Sequence, residues 1–528
     1  MKFDALPDDV LLPIFEAAIP AAPNIICLKR SIYQLSITQR LRHLLLPRIY
    51  GHAFISSVFN RKQEQEQTND LYMSFVRSNL ELAIVTSNVL PFRVLHLETE
   101  YTGQRGDCLH GLIDALKGYQ KHLHNVNELV LWIDYDKLSK LQISPSNNAP
   151  DYATVTAKRV ARLLPHVKRV TIREKSNERT TERFYGELVN AYIDQLETIA
   201  SASKLKLPTT RAFDQLTCLK VDVKLCGTYV PRVCPNTIQH LTLENLLPNS
   251  TWRVFGFEDV PTTMVASNLV SLDIKYHDYS LEGDLFGYEA AKQCKMHFPR
   301  LKSLKLCIRS AKVPLLDSAV FPQQMDYITI EASPLSTLML AGIEFPKTKF
   351  PSLVVFSGDN APIQDLFKAT DNFFMRSTEC LEARLLIPFT SYIITPGMIQ
   401  CTMFTILHLR TNVYIAAILE VVTRMQNLKE LAISRINEPR YKSNILIPEP
   451  SSMQVLKPLH MRMKDLSIWA NYFDNTSTEI KTIVKYLVLC VPSLTQLYAK
   501  TMNINELESF RKEYEGLYPH LSTISFKS

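Results

Sequence analysis

Glycine is scarce in this chain, 14 residues out of 528, while prolines number 29. Phosphate-cradling turns and doubly wound nucleotide folds need glycines at fixed spacing, and no Gly-x-Gly-x-x-Gly or Walker loop occurs. Gly-x-Ser-x-Gly and His-Glu-x-x-His are absent too, which removes the common hydrolase and zinc-protease signatures. The 10 cysteines stand singly, and Cys218, Cys226 and Cys234 are too widely spaced for a zinc pair. They read as reduced thiols of a cytoplasmic or nuclear protein, with no metal and no cofactor. The first ten residues carry Asp4, Asp8 and Asp9 where a secretory leader would be apolar. No uncharged apolar run approaches the roughly 20 residues of a membrane span; the best, Ile480 to Val491, is broken by Lys481 and Lys485. A net charge of +7 is small for this length and points to neither nucleic acid nor membrane. Of the 13 histidines, His110, His122 and His124 come closest to a cluster, and they suit the polar face of a helix better than a ligand set. The composition is that of a folded soluble protein, and the length suggests two or more domains or an extended repeat array.

What the chain does contain is a short phrase said many times. Phe404-x-x-Leu407-x-Leu409-x-x-Asn412 is its clearest form. Leu407 and Leu409 leave one face of a strand, and Ile406, His408 and Arg410 the other. Asn412 is expected to bond the backbone of a neighbouring turn. The same frame stands at Phe92/Leu95/Leu97, Val126/Leu129/Leu131, Val167/Val170/Ile172 and Leu216/Leu219/Val221. It continues at Ile238/Leu241/Leu243, Leu269/Leu272/Ile274, Leu301/Leu304/Leu306 and Met325/Ile328/Ile330. After degraded copies at Leu353/Phe356 and Leu381 to Ile387 it returns at Leu428/Leu431/Ile433 and Met463/Leu466/Ile468. Leu494/Leu497 and Leu521/Ile524/Phe526 close it. Helical periodicity fills several intervals, at 107–124, 154–164, 414–425 and 479–490, and prolines such as Pro165, Pro299, Pro351 and Pro492 stop the helix ahead of a strand. This period resembles the leucine-rich repeat. The resemblance implies an α/β solenoid over 61–528, strands on its concave face and helices on its convex face.

Ahead of the repeats, Pro7 suits a first helical position, Asp8 and Asp9 suit the helix dipole, and Val10, Leu11, Ile14, Phe15, Ala18 and Ile19 form an apolar stripe. Two more apolar groups, around Leu28 and Leu41, predict three short helices within 1–60. Leu6-Pro7-x-x-Val10-Leu11-x-x-Ile14-Phe15 resembles the opening of an F-box, and Ser36 to Tyr50 looks like the F-box tail common in fungal proteins. That resemblance implies a Skp-type adaptor held by Leu6, Pro7, Val10, Leu11, Ile14 and Phe15, and through it the cullin and RING subunits of an SCF-type ubiquitin ligase. The repeats would hold a protein substrate. The alternation assigns that surface to His408, Arg410, Trp469, Tyr498 and Lys500, with Asp222, Glu244, Asp273 and Glu331 in the middle of the array. The alternative is a leucine-rich-repeat scaffold whose N-terminal helices only cap the array, with no ubiquitin-ligase role.

Overall fold

A strand with an apolar side chain at every second position has one face to bury, and a parallel neighbour with the same pattern buries it. The computed structural model is built on that arrangement. It describes residues 52–58, 75–78, 93–100, 116–132, 152–173, 179–202, 211–222, 231–246, 263–276, 295–308, 324–332, 347–355, 382–387, 393–398, 404–437, 455–468, 478–500 and 502–527, with a few isolated positions between. The predicted adaptor residues Leu6 to Phe15, His110 and Trp469 lie outside the described residues. The chain forms two compact units, Met1–Ile238 with Arg253–Gly256, and Gln239–Trp252 with Phe257–Ser528.

In the first unit, β1 (His52–Val58) pairs antiparallel with β2 (Phe75–Ser78) and parallel with β3 (Val94–Glu100). The ladder thus begins inside the segment that the sequence pattern assigns to N-terminal helices. It runs on in parallel through β4 (Glu128–Trp132), β5 (Arg169–Ile172), β6 (Thr198–Ser201) and β7 (Cys218–Asp222). Leu95, Leu129, Val170, Ile199 and Leu219 occupy one register row, and all are buried. Strand β6 was not legible because its frame reads Leu196/Ile199/Ser201, with a hydroxyl where the third apolar residue belongs. Helix α1 (Tyr152–Leu163) buries Ala153, Thr156, Ala157 and Val160 at helical spacing. Helix α2 (Arg179–Ala191) buries Phe184, Tyr185, Leu188 and Val189. Beyond α2, the Gln195 amide donates to Pro165 O at 2.7 Å and Val167 O at 3.0 Å, tying one connection to the previous one.

The second unit carries the longer ladder. Its strands are β8 (His240–Leu246), β9 (Thr263–Val265), β10 (Ser271–Tyr276), β11 (Lys295–His297), β12 (Ser303–Ile308), β13 (Gln324–Ala332) and β14 (Lys347–Val355). After them come β15 (Arg384–Ile387), β16 (Ile393–Ile394), β17 (Ile406–Tyr414), β18 (Glu430–Asn437), β19 (Asp465–Ile468), β20 (Gln496–Ala499) and β21 (Ser525–Lys527). Parallel pairing runs β8–β10–β12–β13–β14–β15–β17–β18–β19–β20–β21, with β16 also on β17 and β9 paired with β11 apart. Leu407, Leu431, Leu466, Leu497 and Phe526 form one row, and Leu409, Ile433, Ile468 and Ala499 the next core row. Helices α3 (Ile415–Arg424), α4 (Thr478–Cys490) and α5 (Ile504–Tyr514) fill C-terminal connections. The chain is therefore α/β, with long parallel ladders compatible with a solenoid-like repeat.

One backbone device recurs at many of the turns into a strand. A carbonyl just ahead of one strand accepts two consecutive N–H groups from the turn ahead of the next. Arg93 O receives Asn127 and Glu128, Asn127 O receives Lys168 and Arg169, and Lys168 O receives Glu197 and Thr198. In the second unit Gln239, Val270, Ala383, Thr405, Lys429 and Lys464 each do the same, and Lys302 O receives Asp326 and Tyr327 from within β13. A carbonyl has two lone pairs, so this geometry leaves neither donor orphaned where the connections differ in length. The first apolar residue of each frame, Val126, Val167, Leu216, Leu269, Leu301, Leu428, Met463 and Leu494 among them, is buried beneath these turns.

Two expectations change. Asn412 sits within β17, in register with Ile393 and Arg435, because the strand continues to Tyr414 past a register shift after Leu409. It therefore has ladder partners and is not a turn residue. Pro351 does not precede a strand but is buried inside β14, where Pro351 and Leu353 face Ile328 and Ile330. The frame Leu353/Phe356 is displaced accordingly, and Phe350 becomes a strand residue.

Candidate functional site

The face of the second unit's ladder opposite the buried leucines is its open face, and alternation decides what stands there. On β17 to β21 the row Ile406, Glu430, Asp465, Gln496 and Ser525 lies beside the row His408, Ala432, Ser467, Tyr498 and Lys527. His408 Nε2 meets Glu430 Oε1 at 2.5 Å, with 24% and 36% of the side chains exposed. Lys527 Nζ donates to Gln496 Oε1 at 2.9 Å. Between these pairs stands Asp465, whose Oδ1 is buried and meets no hydrogen-bond donor. Burial and then the neighbouring Glu430 carboxylate raise its pKa, with Lys527 and Lys464 acting against them.

The predicted substrate-binding residues therefore do not form one cluster. His408 and Tyr498 share a register row but are three strands apart, roughly 14 Å at about 4.8 Å per strand. His408 is engaged by Glu430. Arg410 is exposed beyond it on β17, and Lys500 is exposed in the turn after β20, its N–H held by Ile468 O at 3.1 Å. Of the acidic residues expected in the middle of the array, Glu331 is ion-paired with Lys305 at 2.9 Å. Asp222 is only 6% exposed, although alternation sets it at the end of β7 on the face opposite Leu219 and Val221.

Sequence reasoning missed the apolar feature of the open face. Tyr327 on β13 and Phe350 on β14 are register partners, and their rings stack with centroids 4.9 Å apart and planes at 15°. Tyr327 is 51% exposed. The signal available was the alternation itself: once Ile328 and Ile330 are core, Tyr327 must face away. Phe350 was hidden because Phe350-Pro351 reads as a helix stop. Ion pairs flank the stack, Lys349–Asp326 at 2.8 Å and Lys305–Glu331, and Arg384–Glu382 at 2.6 Å follows on β15.

Among the described residues no group of three or more His, Cys, Asp or Glu is placed to hold a metal ion, and no helix is long and apolar enough to cross a membrane. The His124 ring bonds Lys121 O and the Asn125 amide within its own turn. This face has the chemistry of a binding surface: paired charges, hydroxyls and one aromatic platform. Compared with models of known protein families and with curated proteins, the chain matches none.

Proposed function

We propose that the chain is the substrate-receptor subunit of an SCF-type cullin-RING ubiquitin ligase. In this reading residues 1–60 are a three-helix F-box that docks a Skp-type adaptor through Leu6, Pro7, Val10, Leu11, Ile14 and Phe15. Residues 61–528 are a leucine-rich-repeat solenoid, strands inside and helices outside, whose open face holds a protein to be ubiquitinated. The chain itself is not an enzyme and needs no cofactor. Its contribution is effective concentration and orientation, while other subunits supply the chemistry.

The observation that carries the reading is the spacing Leu6-Pro7-x-x-Val10-Leu11-x-x-Ile14-Phe15 immediately ahead of a repeat array. The parallel, in-register ladder supports its second half, since stacked strands offer a long surface better matched to a polypeptide than to a metabolite. Co-purification of the full chain with a Skp adaptor tests it. The wild-type chain forms the complex, and the double variant Leu6→Ala/Phe15→Ala loses it with its far-ultraviolet circular dichroism unchanged. Equal recovery of adaptor with both chains would favour the scaffold reading, in which the N-terminal segment only caps the repeats.

A further inference from the structure

Of the large apolar side chains left exposed among the described residues of the second unit, only Tyr327 stands on the long parallel ladder. Val265 is on the separate β9–β11 pair, Val455 and Met461 lie in the connection before β19, and Ile504 begins α5. Tyr327 and Phe350 are register partners on adjacent strands, so their parallel rings stand side by side out of the sheet, and stacking leaves the Tyr327 ring little freedom for a partner to remove.

Among the described residues the charges around the stack are not balanced. Strands β10 and β12 to β14, with the turn ahead of β12, bring Lys302, Lys305, Lys347 and Lys349 against Asp273, Asp326 and Glu331. Lys349 pairs with Asp326, and Lys305 pairs with Glu331 beside its register partner Asp273. Lys302 and Lys347, both exposed, make no ion pair among the described residues. Lys302 is tied to the platform by its own carbonyl, which accepts the N–H groups of Asp326 at 2.9 Å and Tyr327 at 3.0 Å. Lys347 opens β14 in register with Gln324, three residues before Phe350. An exposed aromatic pair rimmed by ammonium groups fits an apolar side chain that arrives among carboxylates. A single-stranded nucleic acid also stacks on aromatic rings, but it sets successive bases on successive rings, and among the described residues this ladder exposes one such stack.

We infer that the Tyr327–Phe350 stack is the docking point for an acidic segment of a partner protein, which packs one apolar side chain against the two rings and sets its carboxylates against Lys302 and Lys347. The inference rests on the reading of the open face as the partner-binding surface and is independent of the adaptor.

Fluorescence anisotropy with the full chain tests it, using a labelled synthetic peptide of aspartates and glutamates around one central phenylalanine. Three probes accompany it: the same peptide with serine for phenylalanine, a version with lysines for the acids, and labelled oligo-deoxythymidine. The acidic phenylalanine peptide binds, and both the serine and lysine versions bind about tenfold more weakly, the size of one hot-spot contact. Tyr327→Ala weakens the first peptide by a similar factor, as does the pair Lys302→Glu/Lys347→Glu, and added salt weakens it further. Equal binding of the serine peptide, an affinity unmoved by Tyr327→Ala, or oligo-deoxythymidine that displaces the peptide would each overturn the inference. The adaptor keeps the two proposals apart. A chain that binds adaptor but shows no Tyr327-dependent peptide binding sinks this inference alone. A chain that binds the peptide but no adaptor sinks the ligase reading alone.

Discussion

Two stretches of the same open face, Tyr327–Phe350 on β13 and β14 and His408–Asp465 on β17 to β19, use the same alternation to opposite ends. In the first, the outward positions hold a half-exposed aromatic pair between ion pairs that are already satisfied. In the second, the outward polar groups are spent on one another: His408 on Glu430, Lys527 on Gln496, with Asp465 pressed between them. Residue type alone favours the second stretch, since histidine and arginine look like recognition groups. Position in the ladder favours the first. A side chain that is satisfied within its own sheet costs free energy to redirect toward a partner, whereas a half-exposed ring gains by being covered.

The connections sharpen the comparison, because the C-terminal stretch is also where polar groups hold the frame. His460 is fully buried in the connection ahead of β19. Its Nε2–H donates to Met425 O at 2.8 Å at the end of α3, and its Nδ1 accepts from the N–H groups of Arg462 at 3.1 Å and Met463 at 2.9 Å. His460→Ala orphans all three backbone groups and is expected to cost roughly 2–4 kcal/mol in denaturant unfolding, the largest effect foreseen here. Burial, aided by the nearby Arg462 charge, holds the imidazole below its ordinary value of 6.5, while its bond to Met425 acts the other way. Below that value the unfolded chain takes up a proton that the folded chain does not. The wild-type protein therefore loses stability as pH falls from 6.5 toward the lower folded value, and His460→Ala lacks that slope.

Asp465 gives a smaller effect of opposite sign. Its folded pKa lies above the ordinary 3.8, so the folded chain keeps a proton after the unfolded one has released it. Stability falls as pH rises through that interval and stays lower at neutral pH. Asp465→Asn removes the charge and supplies an amide that can donate toward Glu430. It is expected to raise the melting temperature at pH 7, with the gap closing as pH approaches 4. An unchanged or lower melting temperature at pH 7 would show that Asp465 is not a strained member of the row. The smallest change in stability belongs to the other stretch. Tyr327→Ala should shift unfolding by no more than about 0.5–1 kcal/mol, because half of the ring is in water already. A larger loss would make the stack part of the fold and erase the contrast.

How much of this was legible follows the physics of each signal. The rungs were, because a buried pair two residues apart after a buried residue three earlier is a local pattern, and Val126, Leu129 and Leu131 show it complete. The frame failed where one position departs from apolar, as at Ser201, or where proline takes a core place, as at Pro351. Helix α5 was passed over despite its capping box, in which Asn503 Oδ1 accepts from Glu506 N at 2.8 Å and Glu506 Oε2 from Asn503 N at 3.2 Å. The open face was legible as a face but not as a site. Which outward residues become neighbours depends on registers set across connections of unequal length, and nothing local in Tyr327 or Phe350 announces the other.

The central claim is a division of labour between Leu6–Phe15 and the open face of the ladder. Hydrogen exchange of the full chain with and without a Skp adaptor tests it most directly. The account predicts that adaptor slows exchange within residues 6–15 and leaves β13, β14 and β17 to β20 unchanged. Protection on those strands, or none within residues 6–15, would contradict it.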